Sequence, residues 1–328
     1  MKKQLLLSLI LTLFCGMIYG QHLIRVNNTP GTDADYTTIQ AANDNANPGD
    51  TIYVEGSIAS YSDAISFDRQ LTIIGPGYFL TDNDSTQANG LVATVNGSIT
   101  FNTGSSGSKI TGIDFSTITI YVSNISVTRC NGSQINLYNT IENILISQNF
   151  VSTIYSGGNA TNSVFSNNIV LYGISAYSGS GSLQVLNNVV QGLSGVPISV
   201  YNSTISNNIL TNITYKLTEN TGNVITNNIF AYAGTNANGN KYSITMTTVF
   251  VDFSGSLNYS DDAKWKLKAG SPAIGAGVSG VDCGAFGGPT PYVLSGIPAL
   301  PHIYEAAIPG VAYSGTGLSC TIKVKAGK

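Results

Sequence analysis

The apolar positions of this chain fall in short β-favouring runs. From about Ile52 to Val251, Ile, Val, Leu and Phe alternate with polar residues, and Asn, Gly or Ser breaks each run. Alternation with a period of two is the pattern of a half-buried strand. One motif recurs within the series. "SVFSNNIV" (Ser163–Val170), "LQVLNNVV" (Leu183–Val190), "STISNNIL" (Ser203–Leu210) and "NVITNNIF" (Asn223–Phe230) each set two adjacent asparagines among apolar residues. The second asparagines are Asn168, Asn188, Asn208 and Asn228, evenly spaced along the chain. "ILISQNFV" puts Asn149 in the same slot before Asn168, at nearly the same interval. Earlier still, "SVTRCNG" puts Cys130 there and "KITGIDF" puts Ile113 there. A period of about 20 residues sustained in this way marks a repeat architecture.

The period selects among β folds. A propeller blade needs about 40 residues, and an antiparallel sandwich has no reason to repeat one motif at one interval. A coil of three short strands and three turns fits. The sequence therefore predicts an all-β, single-stranded parallel β-helix, a solenoid of about 20 residues per coil. At about 4.8 Å per stacked strand, some ten coils give a rod on the order of 50 Å. In I-x-N-N-I the first Ile is expected inside, the second Asn at a bend, and the following Ile on the next strand. Asn tolerates the left-handed conformation that bends require. Its amide can donate to one neighbouring coil and accept from the next, so Asn149, Asn168, Asn188, Asn208 and Asn228 read as a structural ladder, with Cys130 and Ile113 as apolar members.

A solenoid exposes two open ends. Near the first, His22 to Asn27 alternates like a strand, and Thr37 or Thr38 can cap a short helix through about Asn45 with Ile39 and Ala42 on one face. Pro48-Gly49-Asp50 then turns the chain into a strand at Thr51 to Val54, and Leu71 to Gly77 reads as another strand entering a tight turn. The glycine-rich region after Ile274 is expected to cover the other end. The tail from Pro291 breaks the repeat, and its last run, Leu318 to Lys325, alternates like a strand of a capping hairpin or of a short export signal.

"YTTIQAANDNANPGDTIYV" near the start, the Asn slot once per coil, and "WKLKAGSPAIGAG…DCGAFGG" (Trp265 to Gly288) resemble secreted right-handed parallel β-helix proteins of the pectin-lyase-like superfamily, bacterial surface type. The resemblance covers about Ile39 to Gly288. It implies a right-handed coil, a capping helix and a place in the bacterial envelope. It leaves the activity open, because this fold carries lyases, hydrolases, adhesins and other surface proteins.

The chain opens with "MKKQLLLSLILTLFCGMIYGQ": a basic n-region at Lys2 and Lys3, an apolar h-region from Leu5 to Phe14, and Gly20 as the small residue before cleavage. This pattern is a secretory signal peptide. Bulky Phe14 argues against a lipid anchor at Cys15. Residues 1–20 are thus a signal peptide, 21–288 a β-helix with its N-terminal cap, and 289–328 a C-terminal cap or tail. The expected product is secreted or held at the outer cell surface, monomeric, with no membrane span and no cofactor.

Without Lys2 and Lys3, 12 basic and 17 acidic residues remain, a formal charge of −5. That balance, with no basic run, argues against nucleic acid as a partner. Charged residues make up only 9% of the chain, against an average of about 25%. The cysteines after Cys15 are Cys130, Cys283 and Cys320, an odd number that fits no zinc spacing. Either Cys283 pairs with Cys320 or all three are free thiols.

Polysaccharide hydrolysis needs paired carboxylates, and lyase chemistry needs a base with calcium-holding carboxylates. The long stretch between Glu142 and Lys216 contains no Asp, Glu, Lys, Arg or His, so a central catalytic groove is not expected. Both histidines, His22 and His302, stand outside the repeats. Asp114, Arg129 and Glu142, with Lys109 nearby, are the catalytic candidates if the chain is a lyase or hydrolase. Counted from the ladder slot, Asp114 and Arg129 can meet as an exposed ion pair, and Glu142 falls elsewhere. Asp82 and Asp84 in "TDNDSTQANG" are the calcium candidate, a loop without the glycine and glutamate of an EF-hand. Asp261 and Asp262 mark a solvated turn. Tyr121, Tyr138, Tyr155 and Tyr172 recur at one regular interval, slightly shorter than the asparagine repeat. Such rings can stack on sugar faces or on one another. The expectation is a non-catalytic glycan-contact or adhesion surface, or a stiff spacer, partnered by polysaccharide or envelope components.

Overall fold

The computed structural model describes residues 21–177, 181–310, 315 and 318–326; the expected signal segment 1–20, with Cys15, lies outside them. The chain forms an all-β parallel solenoid of about nine turns with roughly 20 residues per coil. Two ten-stranded parallel sheets carry it. The first runs from Leu23–Val26 and Thr51–Val54, through Thr72–Ile74, to Thr204–Ser206 and Val224–Thr226. The second runs from Ile65–Phe67, through Thr94–Phe101, Asp114–Ile120, Asn131–Leu137, Phe150–Ser156 and Ile169–Ala176, to Ile229–Phe230.

Period-two alternation decides what each strand buries. In the first sheet Ile73, Ile110, Val127, Ile146, Phe165, Val185 and Ile205 stack in register, all buried. In the second, Ile65, Ile99, Ile118, Ile135, Ile154, Ile174 and Ile198 do the same. Each β-branched side chain packs on its counterparts in adjacent coils, which suits residues stiff at χ1.

The polar ladder runs beside this core. The Oδ1 of Asn168 accepts from the backbone N–H and the Nδ2 of Asn149, each at 3.0 Å. The Oδ1 of Asn188 serves Asn168 in the same way, Asn208 serves Asn188, and Asn228 serves Asn208. Each Nδ2 also reaches a backbone carbonyl of the preceding coil, such as Phe165 for Asn188 at 2.8 Å. Cys130 begins the series by donating its N–H to Asn149, and Asn240, outside the regular spacing, ends it by accepting from Asn228. The five regularly placed asparagines are completely buried, and the ladder satisfies their amides.

The first asparagine of each pair, not the second, takes the left-handed bend. Asn167, Asn187, Asn207 and Asn227 have φ between 54° and 60°. Gln148 and Arg129 hold the same place in earlier coils, at φ 61° and 53°. The second asparagine must present its whole amide inward, so the bend falls one position earlier. There the side chain points out.

What it meets is the C-terminal segment. Residues 274–297 do not lie across the far end but run back along the outside of the coils. Asn227 donates to the Ala276 carbonyl at 3.1 Å, Asn207 accepts from the Val278 N–H at 2.9 Å, and Asn187 donates to the Asp282 carbonyl at 2.9 Å. Asn167 then donates to Gly287 at 2.7 Å, Gln148 to Pro291 at 2.6 Å, and Arg129 to Ile297 at 2.8 Å. Under this strap lies a second apolar row, Phe150, Ile169, Val189, Ile209 and Ile229, the residues that follow the ladder slot. Cys283, Ala285 and Tyr292 of the strap complete its cluster.

The near end is closed by a helix, α1 (Ile39–Asn45), whose cap Thr38 accepts from the Ala41 N–H and whose Ile39, Ala42 and Asn43 are buried. At the far end Phe230, Tyr232 and Tyr242 pack with ring centroids 4.7–5.7 Å apart. The last strands, His302–Ala307 and Thr321–Lys325, form an antiparallel hairpin joined to the early coils through the Ala88 N–H and the Ile303 carbonyl. No Cys283–Cys320 bond forms: Cys283 is buried under the strap, Cys320 is exposed, and Cys130 is a third free thiol.

Candidate functional site

The outward positions of the second sheet define its outer face. In register, Thr100, Thr119, Asn136, Tyr155 and Ser175 form one row along successive coils. Two positions earlier, Ser98, Thr117, Gln134 and Thr153 form a second. The inward isoleucines between them fix both rows, because alternate side chains of a strand must point to opposite faces. All nine are exposed or half-buried. Across the rows the face offers hydroxyls and amides and no charge.

Tyrosines edge this face. Tyr138 donates its N–H to the Ile120 carbonyl, which places Tyr121 and Tyr138 at equivalent points of adjacent coils. Their rings stack at 5.7 Å and 23°. The next coil has Gly157 at that point. A Cβ there would lie 2.8 Å from ring atoms of both Tyr138 and Tyr155. The gap admits Tyr155, which starts two positions earlier and meets Tyr138 edge-on at 6.3 Å. Three of the four regularly spaced tyrosines thus form one solvent-facing ladder. Tyr172 is exposed beside the bulge between Val170 and Gly173, with no ring contact to the other three.

The charged candidates do not converge. The Asp114 carboxylate accepts from Thr94 Oγ1 at 3.0 Å and Asn131 Nδ2 at 2.8 Å, and burial pushes its pKa upward against those two bonds. Arg129 turns toward the strap, donating through Nε to Gln148 at 2.9 Å and through Nη1 to Ile297, and burial lowers its pKa. The expected Asp114–Arg129 ion pair is therefore replaced by separate sets of polar contacts at each residue. Glu142, its side chain exposed, ends the strand Thr140–Glu142, and Lys109 is exposed in the first sheet. Asp82 and Asp84 lie in a turn, and Asp82 accepts from the Thr81 hydroxyl.

Asp262 departs from the expected solvated turn. It is fully buried and accepts from Ser260, Asn83 and the Ser295 N–H at 2.7–3.0 Å, while Asp261 stays outside and pairs with Lys264. Beside it the hydroxyls of Tyr78 and Tyr292 meet at 2.6 Å, and burial drives both pKa values far up. This network pins the strap to the 78–83 turn. The two histidines, far apart in sequence, line one cleft of about 810 Å³ between the first coils and the terminal hairpin, with Leu23, Tyr53, Ile74 and Ile303. No carboxylate is among the described residues that line it.

The sequence carries a signal for the polar rows that the asparagine motif overshadows. "STITI", "SQINL" and "STIYS" align once the strands are registered, and their third residues, Ile118, Ile135 and Ile154, are the inward ones. No protein-family model matches this chain, and no curated protein is found to be similar to it.

Proposed function

We propose that the chain is an exported, non-catalytic right-handed β-helix of the pectin-lyase-like kind, held at or released from a bacterial surface, whose outer second-sheet face contacts glycans. The observation that carries this reading is the ladder of exposed Tyr121 and half-buried Tyr138 and Tyr155 beside two in-register rows of uncharged hydrogen-bonding side chains. Sugars are bound by that combination: aromatic groups cover the apolar C–H patches, and neutral donors and acceptors meet the hydroxyls. The face is rigid because every strand in it is locked between neighbours, so little conformational entropy is lost on contact. The signal-peptide pattern at residues 1–20 and the low charge support an extracellular location. The separation of Asp114, Arg129 and Glu142 weighs against a lyase or hydrolase.

The test is native affinity electrophoresis of the mature protein through gels cast with different polysaccharides, each then stained for clearing. Retardation without clearing is expected, and Tyr138→Ala should reduce the retardation several-fold while Tyr172→Ala leaves it unchanged. Clearing of any gel would overturn the non-catalytic reading. Unchanged mobility in every gel would leave the chain as a spacer.

A further inference from the structure

We infer that the polymer taken by this face is a neutral polysaccharide lying along the solenoid axis; the inference rests on the glycan-contact reading above. Charge is the first argument. Across five successive coils the two rows hold Ser98, Thr100, Thr117, Thr119, Gln134, Asn136, Thr153, Tyr155 and Ser175, without one Lys or Arg to meet a uronate. Arg129, the cation closest to these strands in sequence, is turned to the strap. The only carboxyl within the strands is Asp114, at their edge, and it would repel an acidic chain. A carboxylated polymer would shed hydration here without a compensating ion pair.

Availability is the second argument. None of the side chains of Ser98, Thr100, Thr117, Thr119, Gln134, Asn136 and Thr153 is spent on a hydrogen bond to a described residue. The ladder asparagines and the asparagines that meet the strap, by comparison, are hydrogen-bonded within the fold. These seven therefore retain donors and acceptors for sugar hydroxyls.

Direction is the third. Across the strands the groups change from one position to the next: the two uncharged rows are flanked by the tyrosine ladder on one side and by the bulged Asn96 segment and the Asp114 edge on the other. Along the axis the same rows repeat at every coil, about 4.8 Å apart, and the tyrosine ladder runs the same way. A linear chain laid along the axis meets a similar set of groups at each step, so contacts accumulate with length.

The experiment is calorimetric titration of the mature protein with neutral oligosaccharides of increasing length and with uronic-acid oligomers, each at low and high salt. Affinity for a neutral series is expected to rise with length and level off near about five sugars, one per coil, and to change less than two-fold with salt. Thr119→Lys should weaken the neutral ligand about ten-fold and admit the acidic one in a salt-sensitive way. Gln134→Ala should weaken the neutral ligand a few-fold with no gain for the acidic one. Both substitutions are on the solvent side of a strand, and an unchanged melting temperature checks that each variant folds. Preference of the unaltered protein for uronates would overturn the inference and leave the glycan-contact reading standing. A plateau at two sugars would overturn the axial direction. Binding to neither series, at any length, would remove both the inference and the reading beneath it.

Discussion

At the scale of single residues, the doubled asparagine divides two tasks between neighbours. Asn188 faces in and holds Asn168, Asn208 and the Phe165 carbonyl; Asn187 bends the chain at φ 54° and holds the strap through the Asp282 carbonyl. The two should not be equally replaceable. Asn188→Ala orphans the buried N–H of Asn168 and half of its amide, and should cost about 3–5 kcal/mol. Asn187→Gly keeps the left-handed bend and gives up hydrogen bonds nearer the surface, a loss of about 1 kcal/mol. Urea unfolding of both variants checks the contrast; equal losses would show that the ladder is not the main polar support.

The thiols give a second prediction at this scale. Burial pushes Cys130 and Cys283 up to about 12. Both stay neutral in the folded chain where the unfolded chain, near about 8.5, already ionises. Their contribution to stability is full below about pH 8.5 and declines as pH rises toward the folded value, by up to about 1.4 kcal/mol per pH unit for each thiol. Urea midpoints at mildly and strongly alkaline pH should show the fall, and Cys130→Ala should reduce it. Of Cys130, Cys283 and Cys320, only Cys320 should react with a thiol reagent in the native protein, and all three after denaturation.

At the scale of elements, the strap is held by geometry that glycine makes possible. Gly284 has φ +85°, and a Cβ there would stand 2.6 Å from Ile209 Cδ1 and 3.3 Å from Val189 Cγ2. Gly284→Val meets both the steric contact and the backbone strain, with an expected loss of about 2–4 kcal/mol. Because the contact is between strap and coil, the early sign should be protease cleavage within residues 274–297 while the coils still resist. Resistance equal to the unaltered chain would show that the strap can reseat without its glycine. The "DCGAFGG" segment is thus a close-approach element along the coils, and the end it was expected to close is instead covered by Phe230, Tyr232 and Tyr242.

For the whole molecule, a solenoid by itself is bonded only between nearest neighbours, and its coils can fray one at a time. Here the strap ties the coil of Asn227 to those of Arg129 and Tyr78. Thermal unfolding followed by circular dichroism and by Trp265 fluorescence should therefore coincide in one transition. Trp265 is buried in the strap cluster, so Gly284→Val should separate the two, with fluorescence changing first. Coincident curves in the variant would mean that the coils cooperate without the strap. The cost of ordering the long segment 246–297 is offset by a buried apolar row and by hydrogen bonds at successive coils from Asn227 to Arg129.

The repeat was readable from the order of the amino acids. A slot recurring once per coil, filled by Asn or an apolar residue, requires stacking on equivalent neighbours, and alternation within each run says which side chains line the interior. Both signals are local and periodic, and so legible. The capping helix was legible for the same reason, since Thr38 and the Ile39–Ala42 spacing are neighbours in the chain. Contacts between distant segments followed only from the folded chain: that Asn187 and its counterparts face a strap, that Asp262 is buried against Ser295, that the histidines share a cleft, and that Asp114 turns to Thr94 and Asn131 rather than to Arg129. The tyrosine ladder belongs with them. Its spacing in the sequence is not the period of the coil, and Tyr155 joins Tyr121 and Tyr138 only because Gly157 leaves room for its ring. Such contacts depend on register between coils and on where the chain returns, and neither is encoded in the composition of any one coil.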